Sequence, residues 1–180
     1  MPARHLALLA AATVLAGCAM PTAPDAEKPG GPVFSIATPF DAAQARRLVA
    51  PGPNTVTGQA FIRQRGGAPP VTCAGQPVYL VPATEYARIR VKALYGSADR
   101  GAMLDSRSYR FEPDPPEYPR LVRQAQCDAE GAFRFDRVAS GEFFVTAIVR
   151  WQEGEARKGG SLMQRTWVRG GGVTNVVLSR

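Results

Sequence analysis

Residues 127–151 read CDAEGAFRFDRVASGEFFVTAIVRW, and the fold is decided there. Asp128 and Gly131 bracket a turn, since Asp bonds its own backbone two residues on and Gly accepts positive φ without a Cβ clash. Phe133 and Phe135 then alternate with Ala132, Arg134 and Asp136, which gives a short strand one apolar and one polar face. Ser140-Gly141 turns the chain into a longer run. In that run Phe143, Val145, Ala147, Val149 and Trp151 fall on one face, the period of two expected of a strand lying on a core.

Working outward, further strands are expected at about 55–62, 76–82, 120–127, 161–168 and 173–179, which with 132–137 and 142–151 make seven. Two short helices interrupt them. Thr38-Pro39-Phe40-Asp41 reads as a helix start, with Thr38 as cap, Pro39 at the first helical position and a carboxylate three residues on. That helix runs to about Val49, before Pro51-Gly52-Pro53. Thr84 caps a second, whose Tyr86, Ile89, Ala93 and Leu94 fall near helical spacing and whose end is set by Gly96. Residues 97–119 carry Gly101, Pro113, Pro115, Pro116 and Pro119 and are expected to form a long irregular loop. The fold class is thus mainly β, a seven-stranded sandwich of immunoglobulin-like kind with one or two short peripheral helices.

The order Asp128, Gly131, Phe133, Phe135, Val138, Gly141, Phe143 or Phe144, Val145 resembles the D-x-x-G-x-F-x-F-x-x-[VL]-x-x-G-x-[YF]-x-[VL] signature of carboxypeptidase regulatory-like domains. Val56-Thr57-Gly58-Gln59-Ala60, Gln76-Pro77-Val78-Tyr79-Leu80 and Val173 to Leu178 are similar to that family's opening and closing strands. The resemblance covers residues 54–180 and implies a transthyretin-like accessory module of the kind found beside catalytic or transport domains. No such neighbour is read in this chain.

The amino terminus has a basic start at Arg4 and an apolar run from Leu6 to Ala16, too short to span a bilayer. Residues 1–17 are therefore expected to be a secretory signal. Leu15-Ala16-Gly17-Cys18 resembles a bacterial lipobox, which implies lipidation of Cys18, a stable membrane anchor and, with Ala19 following, the outer membrane. Residues 18–37 are rich in Pro, Gly and Ala and read as a flexible spacer, and 38–53 as the first helix and its connector. Removal of the signal leaves 21 basic against 15 acidic residues, a net +6. About 160 residues remain, enough for one domain.

Cys73 and Cys127 are then the remaining thiols, and in an oxidising compartment a disulfide is the expected state. The single histidine, His5, lies in the signal. Its removal excludes Ser-His-Asp and Cys-His mechanisms and His-containing zinc sites. No catalytic residue, metal or cofactor is expected. The competing class is a periplasmic hydrolase using carboxylates, from Asp105, Glu112, Asp114 and Glu117, or a Ser-Lys pair, from Ser140 or Ser161 with Lys92 or Lys158.

Two surfaces point to binding. Phe144 and Ile148 make the outer face of the long strand partly apolar, so a helix or a partner protein should cover it. Arg150, Arg157, Lys158, Arg165 and Arg169 gather in the last third and would attract an anionic polymer. The reading is a non-catalytic, lipid-anchored envelope module that binds a protein or polysaccharide, and not nucleic acid.

Overall fold

The computed structural model describes residues 31–104 and 109–180. Its centre is an antiparallel hairpin of β9 (Gly141–Glu153) and β10 (Ala156–Val168), in register from Gly141 opposite Val168 to Glu153 opposite Ala156. The two residues of its turn, Gly154-Glu155, place Gly154 at φ 59°, the glycine-first arrangement that tight hairpins favour. This tight turn lets β10 begin at Ala156, five residues earlier than the pattern of apolar residues suggests.

Around the hairpin stands a five-stranded sheet in the order β5 (Arg100–Met103), β10, β9, β4 (Pro77–Pro82), β7 (Arg123–Gln126). The second sheet is centred on β2 (Asn54–Ile62). One edge of β2 pairs in parallel with β11 (Val173–Ser179), and the other pairs antiparallel with β8 (Ala132–Val138) and, farther along, β3 (Val71–Thr72). Phe143, Val145, Ala147 and Val149 of one sheet meet Val56, Ala60, Phe133, Phe135, Val176 and Leu178 of the other in a continuous core. The mainly β sandwich is therefore the observed architecture, and the seven expected strands are β2, β4 and β7 to β11.

Cys73, at the end of β3, is bonded to Cys127, at the end of β7, with Cα atoms 5.8 Å apart. The bridge thus joins the edges of the two sheets. At the other end Asn54, buried at the start of β2, donates to the Val138 carbonyl at 2.9 Å and accepts from the Gly171 amide at 2.8 Å. One amide side chain so ties together the turns that follow β8 and β10.

The helices differ in how they match expectation. α2 (Glu85–Tyr95) has Thr84 as its cap, accepting from the Ala87 amide, and Gly96 in the left-handed conformation at its end. α1 (Ala42–Val49) instead starts after Asp41, whose carboxylate accepts from the Gln44 amide at 2.8 Å. Asp41 takes the capping role expected of Thr38, and Phe40 is left outside the helix to pack edge-on against Tyr86 and Tyr118.

Two segments expected to be irregular contain strands. β1 (Val33–Ser35), in the stretch read as spacer, pairs in parallel with β6 (Arg110–Glu112). β6 and β5 both lie in the 97–119 region read as loop. The β1–β6 ribbon is held by side-chain packing: Phe34 stacks on Phe111, and Ile36, Tyr86 and Phe111 form a buried cluster beside α2. Arg90 of α2 lies 4.0 Å from the Phe111 ring centre and pairs with Asp114 at 2.5 Å. The expected signal peptide and Cys18 lie outside the described residues.

Candidate functional site

No described element packs on the outer face of the four-stranded sheet. Parity sends Val56, Gly58 and Ala60 of β2 inward and leaves Thr55, Thr57 and Gln59 outward. The parallel pairing with β11 sets Asn175 beside Thr57 and Val177 beside Gln59, and the pairing with β8 sets Arg134 beside Thr57 and Ala132 beside Gln59. These rows form the floor of a groove of about 610 Å³ whose other wall comes from Ala125, Gln126 and Asp128. Neighbouring strands lie about 4.8 Å apart, so the polar groups of a row are within reach of a single small ring.

Part of this face is rigidly held. Arg134 donates from Nε to Asp136 at 2.9 Å, and its Nη2 lies 2.7 Å from the other carboxylate oxygen, while Thr55 donates to Asp136 at 3.1 Å. The hydrogen bond from Arg134 is the main reason that the Asp136 carboxyl sits below its ordinary pKa. Asp128 is fixed too, accepting from the Ala132 amide at 2.7 Å and the Glu130 amide at 3.1 Å. The side chains of Thr57, Gln59 and Asn175 make no hydrogen bond to other described residues. They are free donors and acceptors on a stiff strand scaffold.

The five-stranded sheet treats its outer face differently, and this corrects one expectation. Phe144 is fully buried, packed with Val81, Ala83 and Met163 beneath Ala87 and Val91 of α2. It is covered by the helix and is not a docking surface. Ile148, opposite Ser161 and half-buried, stands where Ser161 and Tyr95 of the last helical turn share a hydrogen bond of 2.9 Å.

Nor do the five basic residues form one patch. Arg150 and Arg157 share the outer face of the hairpin arm, Arg157 lying opposite Gln152, and with Trp151, Gln152 and Lys158 they line a depression of about 290 Å³. Lys158 opposes Trp151 on the inner side of the sheet and lies 3.8 Å from Glu153. Arg165 opposes Phe144, six residues and so about 20 Å farther along β9. Arg169 follows the end of β10. Closeness in sequence was the only signal that grouped them, and an extended hairpin spreads such residues along its length.

Arg165 is also neutralised. With Arg88 of α2 it holds the buried Glu142 carboxylate, each donating an Nη1 bond of 3.1 Å to Oε1, and it pairs as well with Asp99. Burial alone would push Glu142 up, but its hydrogen bonds and charge pairing with Arg88 and Arg165 bring it below the ordinary carboxylate range. The network pins α2 onto the sheet.

The residues of the competing hydrolase reading are dispersed. Asp114 pairs with Arg90 and Glu117 with Arg46, Glu112 is exposed on β6, and Asp105 lies outside the described residues. Ser140 accepts from Asn54 and Ser161 bonds Tyr95, and neither is joined to a lysine among the described residues. No group of three His, Cys, Asp or Glu side chains among the described residues is placed to hold a metal ion.

Nothing in the order of residues marks the groove. Thr57, Gln59, Arg134 and Asn175 occupy outward strand positions of the usual polarity, and they converge only through pairings between segments more than seventy residues apart.

Comparison with known proteins bears on the fold. No protein-family model and no curated protein matches the chain by sequence. Among solved structures, the chain is similar to a crystal structure from Pseudomonas aeruginosa, described as that of a candidate carbohydrate-binding protein. The TM-score is 0.63 at 21% identity, over 78% of this chain and 97% of the other. At that identity the likeness is one of fold.

Proposed function

We propose that the chain is a non-catalytic saccharide-binding module of the cell envelope, anchored through a lipid on Cys18, with the groove over β11, β2 and β8 as its site. The observation that carries the reading is a concave, solvent-open sheet face. On it the unpaired amides of Gln59 and Asn175 and the Thr57 hydroxyl flank the fixed Arg134–Asp136 pair. Saccharides are recognised by such planar donor and acceptor groups on a rigid floor. The similarity in fold to a protein described as a candidate carbohydrate binder supports the same direction.

A binding role is favoured over hydrolysis by the state of the carboxylates in the groove, Asp128, and beside it, Asp136. Asp136 is held below its ordinary pKa by Arg134, the opposite of what a general acid at a glycosidic oxygen requires. Asp128 has its Oδ1 committed to backbone amides. The lipid anchor and the carboxypeptidase regulatory-like kinship rest on the sequence motifs at Cys18 and at residues 128–145.

The test is calorimetric titration of the protein with tetrasaccharides of β-linked glucose, α-linked glucose, N-acetylglucosamine and galacturonate. Gln59→Ala together with Asn175→Ala should weaken binding of the recognised sugar at least tenfold without change in fold. Full retention of binding would move the site elsewhere, and absence of any saccharide binding would end the reading. For the anchor, Cys18→Ala should shift the protein from salt-washed membranes to the soluble fraction.

A further inference from the structure

The outer face of the five-stranded sheet is not covered to its end. Met163, Arg165 and Trp167 share that face of β10, and α2 covers Met163 and Phe144 but stops short of Trp167. The indole is 63% exposed, unusual for the largest apolar side chain. Among the described residues no aromatic ring stacks on it and no guanidinium lies over it.

Its surroundings are polar and ion-paired. Glu142, directly opposite Trp167 on β9, is locked between Arg88 and Arg165, and Arg165 is locked again by Asp99. Glu85 lies 3.9 Å from Arg88 as well, so two guanidinium groups are shared among three carboxylates. The arrangement is an open aromatic plate with a rim of ion-paired donors and acceptors.

We propose that Trp167 is the platform of a second saccharide site, which takes a pyranose ring with its C–H face on the indole and its hydroxyls toward Arg165 and Asp99. An aromatic plate supplies apolar contact at small conformational cost, and the polar rim supplies hydrogen-bonding groups that orient the ring. This inference rests on the saccharide-binding reading and extends it. The groove lies on the outer face of one sheet and Trp167 on the outer face of the other, so one domain engages two glycan segments at once. Two weak sites on one anchored module hold a polymer far more tightly than either alone.

The chain has two tryptophans, which makes the site directly readable. In a Trp151→Phe background all indole emission comes from Trp167. Titration with the four tetrasaccharides should quench or blue-shift it for the sugar that calorimetry shows to bind. In the parent, Trp167→Ala should lower the stoichiometry from two sugars per chain to one, and Trp167→Phe should keep two at reduced affinity. The emission change should persist when Gln59 and Asn175 are both changed to Ala.

If the sugar binds with full dependence on Gln59 and Asn175 while Trp167 emission and stoichiometry stay fixed, the second site is wrong and the groove reading stands. If binding depends on Trp167 alone, the platform stands and the groove falls. Binding by none of the four overturns both, as would a Trp167 plate that responds only to an envelope protein. Circular dichroism of Trp167→Ala, whose side chain is mostly exposed, guards against loss of fold as the cause.

Discussion

The two outer faces of the sandwich are built from strands of the same kind and have opposite fates. On β9 the outward residues include Phe144 and Ile148, and the chain supplies α2 to cover Phe144. On β2 and β8 the outward residues are Thr55, Thr57, Gln59, Arg134 and Asp136, and no described element covers them. A strand that is apolar on both faces needs a third layer, whereas one that alternates can meet water. The difference also separates roles: the covered face contributes to stability, and the open face keeps its hydrogen-bonding groups available to a ligand.

The sharpest way to break that contrast is to cut one side chain on each face. Phe144→Ala opens a cavity beneath α2 and should cost about 3–5 kcal/mol, as large-to-small changes in buried aromatic positions do. Gln59→Ala should stay within about 0.5 kcal/mol, since it removes no contact that the fold needs. Urea unfolding followed by circular dichroism reads both. Equal losses would mean that the open face is structurally engaged and not free for a ligand.

The Cys73–Cys127 bridge belongs to neither face but holds the sheets together at their edges. It closes a separation of 54 residues. Chain entropy gives about 4 kcal/mol for a loop of that length. Replacing both cysteines with Ser should lower the denaturation midpoint accordingly. The groove should loosen as well, because Cys127 directly precedes its Asp128 wall. A double variant with parent-like stability but weakened sugar binding would show that the bridge serves the site more than the fold.

How much of this was legible follows from which interactions are local. The β8–β9 stretch and α2 could be read because alternation, the Thr84 cap and Gly96 are written in neighbouring residues. α1 was displaced because Thr38 and Asp41 are both competent caps, and the choice was made by Phe40, whose ring is held by the distant Tyr86 and Tyr118. β1 and β6 were missed because each is three residues long and their pairing spans more than seventy positions. Phe144 was correctly identified as needing a cover, with a helix as one of two candidates. The groove was not legible at all, since it arises from β11 returning in parallel to β2.

The third layer also carries a pH signature at the alkaline end. Burial raises the Tyr118 phenol to about 12, only partly opposed by the charge of Arg90. A group whose folded pKa is raised contributes stability that is intact below its unfolded pKa, near 10, and is lost as pH rises through the folded value. The parent should therefore lose on the order of 2 kcal/mol between about pH 10 and pH 12 relative to Tyr118→Phe, which keeps the ring packing. Parallel pH profiles for the two proteins would place the phenol in water and show the third layer to be looser than its aromatic contacts suggest.

The smallest expected effect tests the sandwich from inside. Gln164 lies on β10 opposite Val145, on the core side, and its Oε1 is buried without a hydrogen-bond partner among the described residues. A buried acceptor left unpaired costs about 1–3 kcal/mol, and replacing it with an apolar group of similar shape removes that cost. Gln164→Met keeps an unbranched chain of nearly the same length and should raise stability by about 1 kcal/mol. Gln59→Met, the same exchange on the open face, gains no burial and should change nothing measurable in a urea midpoint. The pair of exchanges isolates environment from chemistry, because the side chains removed and introduced are identical. Should Gln164→Met destabilise the protein instead, the carbonyl must be served by an ordered water, since a satisfied amide is the one arrangement in which losing the oxygen is a net cost.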